Sequence, residues 1–385
     1  MLYRTLGKTN EKVSALGFGC MRLPIIDGDG SKIDDEKAIE MLHHAIDQGV
    51  NYIDTAYPYH GTGMGKGGES EPFLSRALKD GYRDKVNIAT KLPSWMIKTR
   101  EDMDKYLNEQ LKRLGTDRID FYLLHALGKD TWENLKNLGV TEFLDSAIKD
   151  GRIRYAGFSF HDKLEVFKEI VDYYDWSFCQ IQYNYLDEEF QAGTEGLQYA
   201  ANKGLGVVIM EPLRGGRIVR NLPESVVNTF DNADIKRSPA EWALRWVWNH
   251  PEVSVVLSGM NTMDNVVENV RVASEALPNS LTEKEVEIMD NVKKSFKERI
   301  KVNCTGCEYC MPCPAGVNIP RNFSCYNEYS IFVTPATEKE LKERYNSISE
   351  AERADKCVEC GKCESHCPQA IKIREELKNV TALFV

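Results

Sequence analysis

Eight of the eleven cysteines in this chain fall in two short runs near its C-terminal end. The first is Cys304-x-x-Cys307-x-x-Cys310-x-x-Cys313-Pro314, and the second is Cys357-x-x-Cys360-x-x-Cys363-x-x-x-Cys367-Pro368. Thiols packed this densely cannot all pair as disulfides with acceptable geometry, but they can ligate metal. The second run has the spacing of bacterial ferredoxins. There, three thiolates face one [4Fe–4S] cluster and the fourth, before proline, reaches the neighbouring cluster. That rule predicts Cys304, Cys307, Cys310 and Cys367 on one cluster and Cys357, Cys360, Cys363 and Cys313 on the other. The first run is one residue short before Cys313, so it departs from the pattern at that ligand. Zinc sites also use paired Cys-x-x-Cys, but one zinc ion needs only four thiolates and no terminal Cys-Pro. The spacing therefore favours two [4Fe–4S] clusters. His366, beside Cys367, is not counted as a ligand.

A second set of chemically capable residues sits at the ends of apolar runs. Asn51-Tyr-Ile-Asp54 closes on Asp54, Val86-Asn-Ile-Ala-Thr-Lys91 on Lys91, and Phe121-Tyr-Leu-Leu-His125 on His125. Tyr59 follows Asp54 by five residues. Taken singly, Asp54 reads as a helix cap, Lys91 as a surface lysine and His125 as a satisfied buried histidine. As a set at successive strand ends they can move a proton. A phenol titrates near 10 and is a weak acid at neutral pH. A Lys91 ammonium beside Tyr59 would lower that value, and Asp54 would keep the ammonium charged and placed. His125 would orient a carbonyl oxygen or relay the proton. Such a device protonates an oxygen as hydride reaches its carbon.

These groups converge only if the right elements carry them. Strand-like runs lie near Val13–Phe18, Tyr52–Asp54, Val86–Lys91, Asp120–His125, Tyr155–Ser159, Phe178–Gln182, Gly206–Met210 and Val253–Ser258. Helical patterns follow at Glu36–Gln48, Pro72–Lys79, Arg100–Leu114, Trp132–Lys149, Lys163–Tyr174, Thr194–Asn202, Pro239–Asn249 and Met263–Ser274. Eight strand–helix units predict an α/β fold, a closed (β/α)8 TIM barrel, with catalytic groups at the C-terminal strand ends. An open doubly wound sheet would carry a Gly-x-Gly-x-x-Gly turn after its first strand, and none is there. The barrel is expected over residues 1–280. A linking helix follows over 281–300, with Thr282 and Glu285 spaced as a capping box. A small ferredoxin-like iron–sulfur domain takes 301–385, with a charged helix at Thr337–Arg353 between the cysteine runs. His60–Gly68 is glycine-rich, but Lys66 precedes Gly67 where a phosphate-binding Walker loop needs Ser or Thr. A lid over the barrel mouth and a plain surface loop both remain open.

Over nearly all of residues 1–275 the chain resembles the aldo-keto reductase family. The resemblance is carried by Leu16-Gly-Phe-Gly19, Asp54-Thr-Ala-x-x-Tyr59, Ala89-Thr-Lys91, Leu123-Leu-His125, Gly157-Phe-Ser159, Gln180-Ile-Gln-Tyr-Asn184 and the late Ser258-Gly segment with Glu268-Asn269. It implies a catalytic tetrad of Asp54, Tyr59, Lys91 and His125, reducing an aldehyde or ketone with a nicotinamide cofactor laid over the barrel mouth. The implied cofactor contacts are Ser159, Gln180, Met210, Leu213, Ser258, Gly259, Asn265, Glu268 and Asn269. The pattern departs from the family at Phe160, where Asn is common, and at Met210, where an aromatic often stacks on the nicotinamide. Ser258–Asn265 also lacks the basic residues that grip a 2′-phosphate, so NADP(H) and NAD(H) both stand. Arg214 or Arg217, after strand seven, would either supply the missing charge or be solvated loop arginines. Substrate choice would lie in the loops after Trp95, after Ala126 and over Leu213–Ile235.

Bulk properties bound the partners. The formal charge is −10 with no basic stripe, which argues against nucleic acid. No apolar run reaches the roughly 18 residues of a membrane span. The first residues have no signal-peptide character, and clustered reduced thiols suit a cytoplasmic protein. The expected partners are a small-molecule carbonyl substrate and, through the clusters, an external ferredoxin or flavodoxin. Hydride transfer moves two electrons, whereas a cluster normally moves one. A flavin would bridge the two and stays open as a cofactor, although no motif supports it. The clusters are therefore read as structural, as an electron port, or as having displaced the nicotinamide in a ferredoxin-linked reductase. A separate reading is an electron-transfer protein or redox sensor whose barrel binds nicotinamide without carbonyl turnover.

Overall fold

A computed structural model of the chain describes residues 1–63 and 65–385. The apolar runs become strands buried on both faces, as a parallel sheet covered by helices requires. In chain order the first unit holds β1 (Tyr3–Thr5), β2 (Lys12–Ser14), β3 (Leu16–Gly19), α1 (Asp35–Asp47), β4 (Tyr52–Asp54), α2 (Ser70–Ala77) and β5 (Asn87–Leu92). There follow α3 (Arg100–Leu114), β6 (Ile119–Leu127), α4 (Lys129–Asn137), α5 (Val140–Lys149), β7 (Ile153–Phe160), α6 (Leu164–Tyr173), β8 (Phe178–Gln182), α7 (Gly193–Asn202) and β9 (Gly206–Met210). After α8 (Glu224–Asp231) come α9 (Pro239–Trp248), β10 (Val253–Ser258) and α10 (Met263–Ala273). Strands β3 to β10 close into an eight-stranded parallel barrel in which β10 pairs with β3. The fold class read from the eight strand–helix units is the one found.

Several elements differ from the sequence reading. The run Val13–Phe18 is not one strand. Its start, β2, pairs antiparallel with β1 in a hairpin, and the barrel strand β3 begins at Leu16. Leu6 and Val13 of this hairpin segment pack into the barrel interior with Tyr52, Phe121, Phe178 and Val208. An apolar run therefore served two elements. The helix expected over Trp132–Lys149 is two, because Gly139 takes φ 70 between α4 and α5. Glycine reaches that left-handed region without the Cβ penalty. The charged helix expected to reach Arg353 stops at Asn346. Arg353 then turns back and donates to the Asn346 carbonyl at 2.7 Å and the Ile348 carbonyl at 3.0 Å, which satisfies groups at the helix end.

The second compact unit comprises Gly216–Pro239 and Glu283–Val385. It contains α8, α11 (Glu283–Lys297), α12 (Ile319–Phe332), α13 (Glu338–Asn346), α14 (Lys362–Ser365) and α15 (Ile373–Phe384). Helix α8, inside a stretch read as loop, packs against α11. The core of this unit gathers Val302, Val317, Ile319, Phe323, Tyr345, Ile373, Leu377 and Val380. Six of the eight clustered cysteines pack on its edge: Cys304, Cys310, Cys313, Cys357, Cys363 and Cys367. Among the described residues, no helix is long and apolar enough to cross a membrane.

Candidate functional site

Neighbouring strands β4, β5 and β6 deliver Asp54, Lys91 and His125 in parallel register, Asp54 beside Ala89 and Lys91 beside Leu123. Asp54 is 3% and Lys91 0% exposed. Lys91 Nζ donates to Asp54 Oδ1 at 2.8 Å, to Asp54 Oδ2 at 2.7 Å and to the Thr55 carbonyl at 2.8 Å. Tyr59 Oη stands 3.4 Å from the same nitrogen. An ammonium has three protons, so the tyrosine contact is the loose fourth. Burial works against the Lys91 charge, but attraction to Asp54 and then Tyr59 outweighs it and holds its pKa above the ordinary value.

Tyr59 and His125 are only half-buried and form the mouth above this ion pair. Their rings meet edge-on with centroids 6.2 Å apart, and Trp95 tilts against His125 at 5.1 Å. The sequence reading expected Lys91 to lower the Tyr59 pKa. Lys91 does pull it down, but burial pushes harder, and the phenol ends above its usual 10.0. Tyr59 is therefore a protonated phenol at neutral pH. Burial, then Lys91 and His161, push His125 well below 6.5, so it is a neutral ring. Its Nδ1 is buried without a hydrogen-bond partner.

A polar network that the sequence reading missed braces Lys91 from behind. Glu71 of α2 accepts from Thr90 Oγ1 at 2.7 Å, Gln110 Nε2 at 2.7 Å and Arg113 Nε at 2.8 Å. Gln110 also donates to the Lys91 carbonyl at 3.0 Å and accepts from Tyr122 Oη at 2.8 Å. One signal was legible: Gln110 interrupts the buried stripe Met103, Tyr106, Leu107 and Leu114 of α3. A polar residue on such a stripe needs a buried partner.

Tyr59 is also fixed from the far end of the glycine-rich loop. Gly68 donates to the Tyr57 carbonyl at 2.8 Å and Ser70 to the Tyr59 carbonyl at 3.2 Å. A Cβ on Gly68 would lie 2.0 Å from the Tyr59 carbonyl oxygen, so the two segments can approach this closely only with glycine there. Gly68→Ala is expected to cost about 1–3 kcal/mol of stability through overpacking and to lower turnover by displacing Tyr59. Thermal unfolding and steady-state kinetics of the variant check both. Of the loop read as lid or surface loop, Met64 lies outside the described residues.

Of the residues read as nicotinamide contacts, Ser159, Gln180 and Met210 stand on the successive barrel strands β7, β8 and β9. Ser159 is level with Gln180, and Gln182 with Met210. Ser159 Oγ accepts from the Ala126 N–H at 2.7 Å, and Ala126 itself is left-handed with φ 53. Gln180 Nε2 points at Met210 Sδ, 3.4 Å away, while Gln180 Oε1 is buried without a partner. An unpaired buried carbonyl oxygen costs about 1–3 kcal/mol, so this one fits an incoming amide N–H, as a nicotinamide carboxamide offers. Ser258 Oγ accepts from Asn269 Nδ2 at 2.8 Å. Asn265 N–H is held by Thr262 Oγ1, the N-cap of α10. Leu213 and Glu268 are half-buried. Phe160 is turned away, buried against Phe167 of α6 with ring centroids 5.1 Å apart. Arg217 pairs with Glu328 and with Glu340 within the second unit, and Arg214 Nε stands 3.9 Å from Asp187.

In the second unit the cysteines sort into two cavities. Cys304, Cys307, Cys310 and Cys367 line one. Cys313, Cys357, Cys360 and Cys363 line the other. Ile319 lines both. Each run bends around its cavity through left-handed residues, Gly306 and Glu308 in the first, Glu359 and Gly361 in the second. Among the described residues, no three His, Cys, Asp or Glu side chains draw close enough to hold a single metal ion. Four thiols ringing a cavity suit a polynuclear cluster, whose irons each take one thiolate.

Comparison with known proteins agrees with both halves. The profile of the Aldo/keto reductase family matches residues 15–294, and that of a 4Fe-4S dicluster domain matches residues 303–371. The chain is 26% identical over 315 residues to the uncharacterized oxidoreductase YrpG of Bacillus subtilis (strain 168), covering 72% of this chain and 92% of that protein. It is 25% identical over 291 residues to L-galactose dehydrogenase of Arabidopsis thaliana, covering 71% and 88%. The solved structure of aldo-keto reductase AKR11C1 from Bacillus halodurans, in its holo form, superposes with a TM-score of 0.62 at 28% identity, over 76% of this chain and 96% of that one. With its barrel, its strand-end residues and its profile match over most of its length, the chain belongs to the aldo/keto reductase family and carries a 4Fe-4S dicluster domain after the barrel in sequence.

Proposed function

We propose that the barrel reduces a small aldehyde or ketone, or oxidises the corresponding alcohol, at the Tyr59 mouth. The observation that carries this reading is the Lys91 ammonium, buried on Asp54 with the Tyr59 hydroxyl 3.4 Å away. A reduced nicotinamide, when bound, supplies the hydride. Tyr59 gives its proton to the carbonyl oxygen, and Lys91 stabilises the phenolate left behind. Asp54 keeps Lys91 charged and aimed. His125, neutral, donates a hydrogen bond that orients the carbonyl. Ser159, Gln180 and Met210 hold the nicotinamide end, with the unpaired Gln180 oxygen taking the carboxamide N–H. Leu213, Ser258, Gly259, Asn265, Glu268 and Asn269 lie toward the adenosine. The region after residue 301 holds two [4Fe–4S] clusters, one on Cys304, Cys307, Cys310 and Cys367, the other on Cys313, Cys357, Cys360 and Cys363.

The test is turnover of simple aldehydes and ketones with NADH or NADPH by anaerobically purified protein. Loss of carbonyl in step with oxidation of nicotinamide is expected. Tight nicotinamide binding with no turnover of any carbonyl would make the barrel a sensor instead. The pH profile has a predicted sign. Reduction needs the Tyr59 phenol, whose pKa lies above 10.0. The reduction rate should therefore hold across neutral and mildly alkaline pH and fall only as pH rises through that value. Alcohol oxidation needs the phenolate and should rise over the same range. No inflection should appear near 6.5, because His125 is already neutral there. A reduction rate already falling below about pH 8 would assign the proton to a group other than a phenol.

A further inference from the structure

We infer that Arg22 binds the pyrophosphate of the dinucleotide cofactor, an assignment that rests on the nicotinamide reading above. Arg22 lies just past β3, which closes the barrel against β10 with Phe18 level with Ser258. That closure places Arg22 beside two loops far from it in sequence. Its stem lies on Gly259, where a Cβ would sit 3.5 Å from Arg22 Cβ and 3.6 Å from its Cγ and Cδ. Its guanidinium reaches Gly215, where a Cβ would sit 3.2 Å from Nη2. Both glycines expose bare backbone beside a guanidinium, a surface that an anion can approach closely.

On that reading, the loops after β9 and β10 that flank Arg22 carry the middle of the cofactor track. Ser159, Gln180 and Met210 stand at one end, and Asn265, Glu268 and Asn269 at the other. What joins the two halves of a dinucleotide is its pyrophosphate, for which the fork of an arginine is suited. Arg22 is poorly engaged as it stands. Nη2 is 3.4 Å from Glu211 Oε1, and the side chain is 44% exposed. Charge-assisted pairs normally close to about 2.7–2.9 Å, and an exposed ion pair of this kind contributes little. A guanidinium for the pyrophosphate, which NAD(H) and NADP(H) share, is thus supplied across the barrel seam, apart from any 2′-phosphate contact.

The rival reading is a rim ion pair that merely positions Glu211, and substitutions separate the two. Affinities for NADH and NADPH are measured by calorimetry on the anaerobically purified full chain. Arg22→Ala is expected to weaken both dinucleotides about equally, by about 10–100-fold. Arg22→Lys, which keeps the charge without the fork, should fall between. Glu211→Gln should leave both affinities unchanged or tighten them. Unchanged affinity in Arg22→Ala overturns the inference, as does equal weakening in Glu211→Gln. Weakening of NADPH alone would move the contact to the 2′-phosphate and overturn the pyrophosphate assignment. A wild-type chain that binds neither dinucleotide overturns both this inference and the reading beneath it.

Discussion

Tyr59→Phe is expected to lower kcat for carbonyl reduction by about 10²–10⁴-fold, the range that positioned proton transfer supplies. Nicotinamide affinity should be nearly unchanged, because Tyr59 is not among the residues read as nicotinamide contacts. Stability should also change little. Tyr59 is half-buried, and its contact with Lys91 is the longest of the four that nitrogen makes. Lys91→Met should cost a similar factor in rate but behave differently in the fold. It would leave the Asp54 carboxylate buried and unpaired, and breaking a buried ion pair costs about 3–5 kcal/mol. Chemical denaturation beside steady-state kinetics distinguishes the two variants. If Tyr59→Phe kept wild-type turnover, the proton would come from elsewhere and the tetrad reading would fail. If Lys91→Met lost rate without losing stability, the ion pair would matter less than its burial indicates.

What the sequence revealed and what it concealed follow a physical line. Strand ends were legible because three successive apolar runs each close on a polar residue, a set that the separate structural readings of its members do not explain. Asp54, Lys91 and His125 therefore stood out, and the barrel does bring them to adjacent strands. The cysteine runs were legible because ligand spacing is local. Balances between opposing effects were not. The direction of the Tyr59 shift depends on burial outweighing a charge 3.4 Å away, and spacing alone says nothing about burial. Contacts made by barrel closure were not legible either. Arg22 reaches Gly259 because β3 pairs with β10, and its own neighbours in sequence give no hint of that. Gln110 lay between these cases, visible as a polar break in a stripe but with partners only the fold could name.

The second large effect concerns iron. Each cluster takes its fourth thiolate from the other run if the cavities are filled as they are lined. Helix α14 carries Cys363 at the second cavity, and Cys367, just beyond its end, has moved on to the first. Substitutions in pairs read this arrangement directly. Cys304→Ala and Cys367→Ala should each remove about four irons per chain, and the double variant should lose no more than either single one. Cys360→Ala combined with Cys367→Ala should instead lose nearly all of about eight. A run-by-run arrangement predicts the reverse for both doubles, so iron content and visible absorption decide between them. The clusters should also support the fold. Cysteines of both cavities rest on the core formed by Val317, Ile319, Phe323 and Leu377, so ligation energy is folding energy for this unit. Complete removal of iron by chelation should then unfold the second unit, read as lost helical signal, whereas the barrel core has no thiolate cluster to lose.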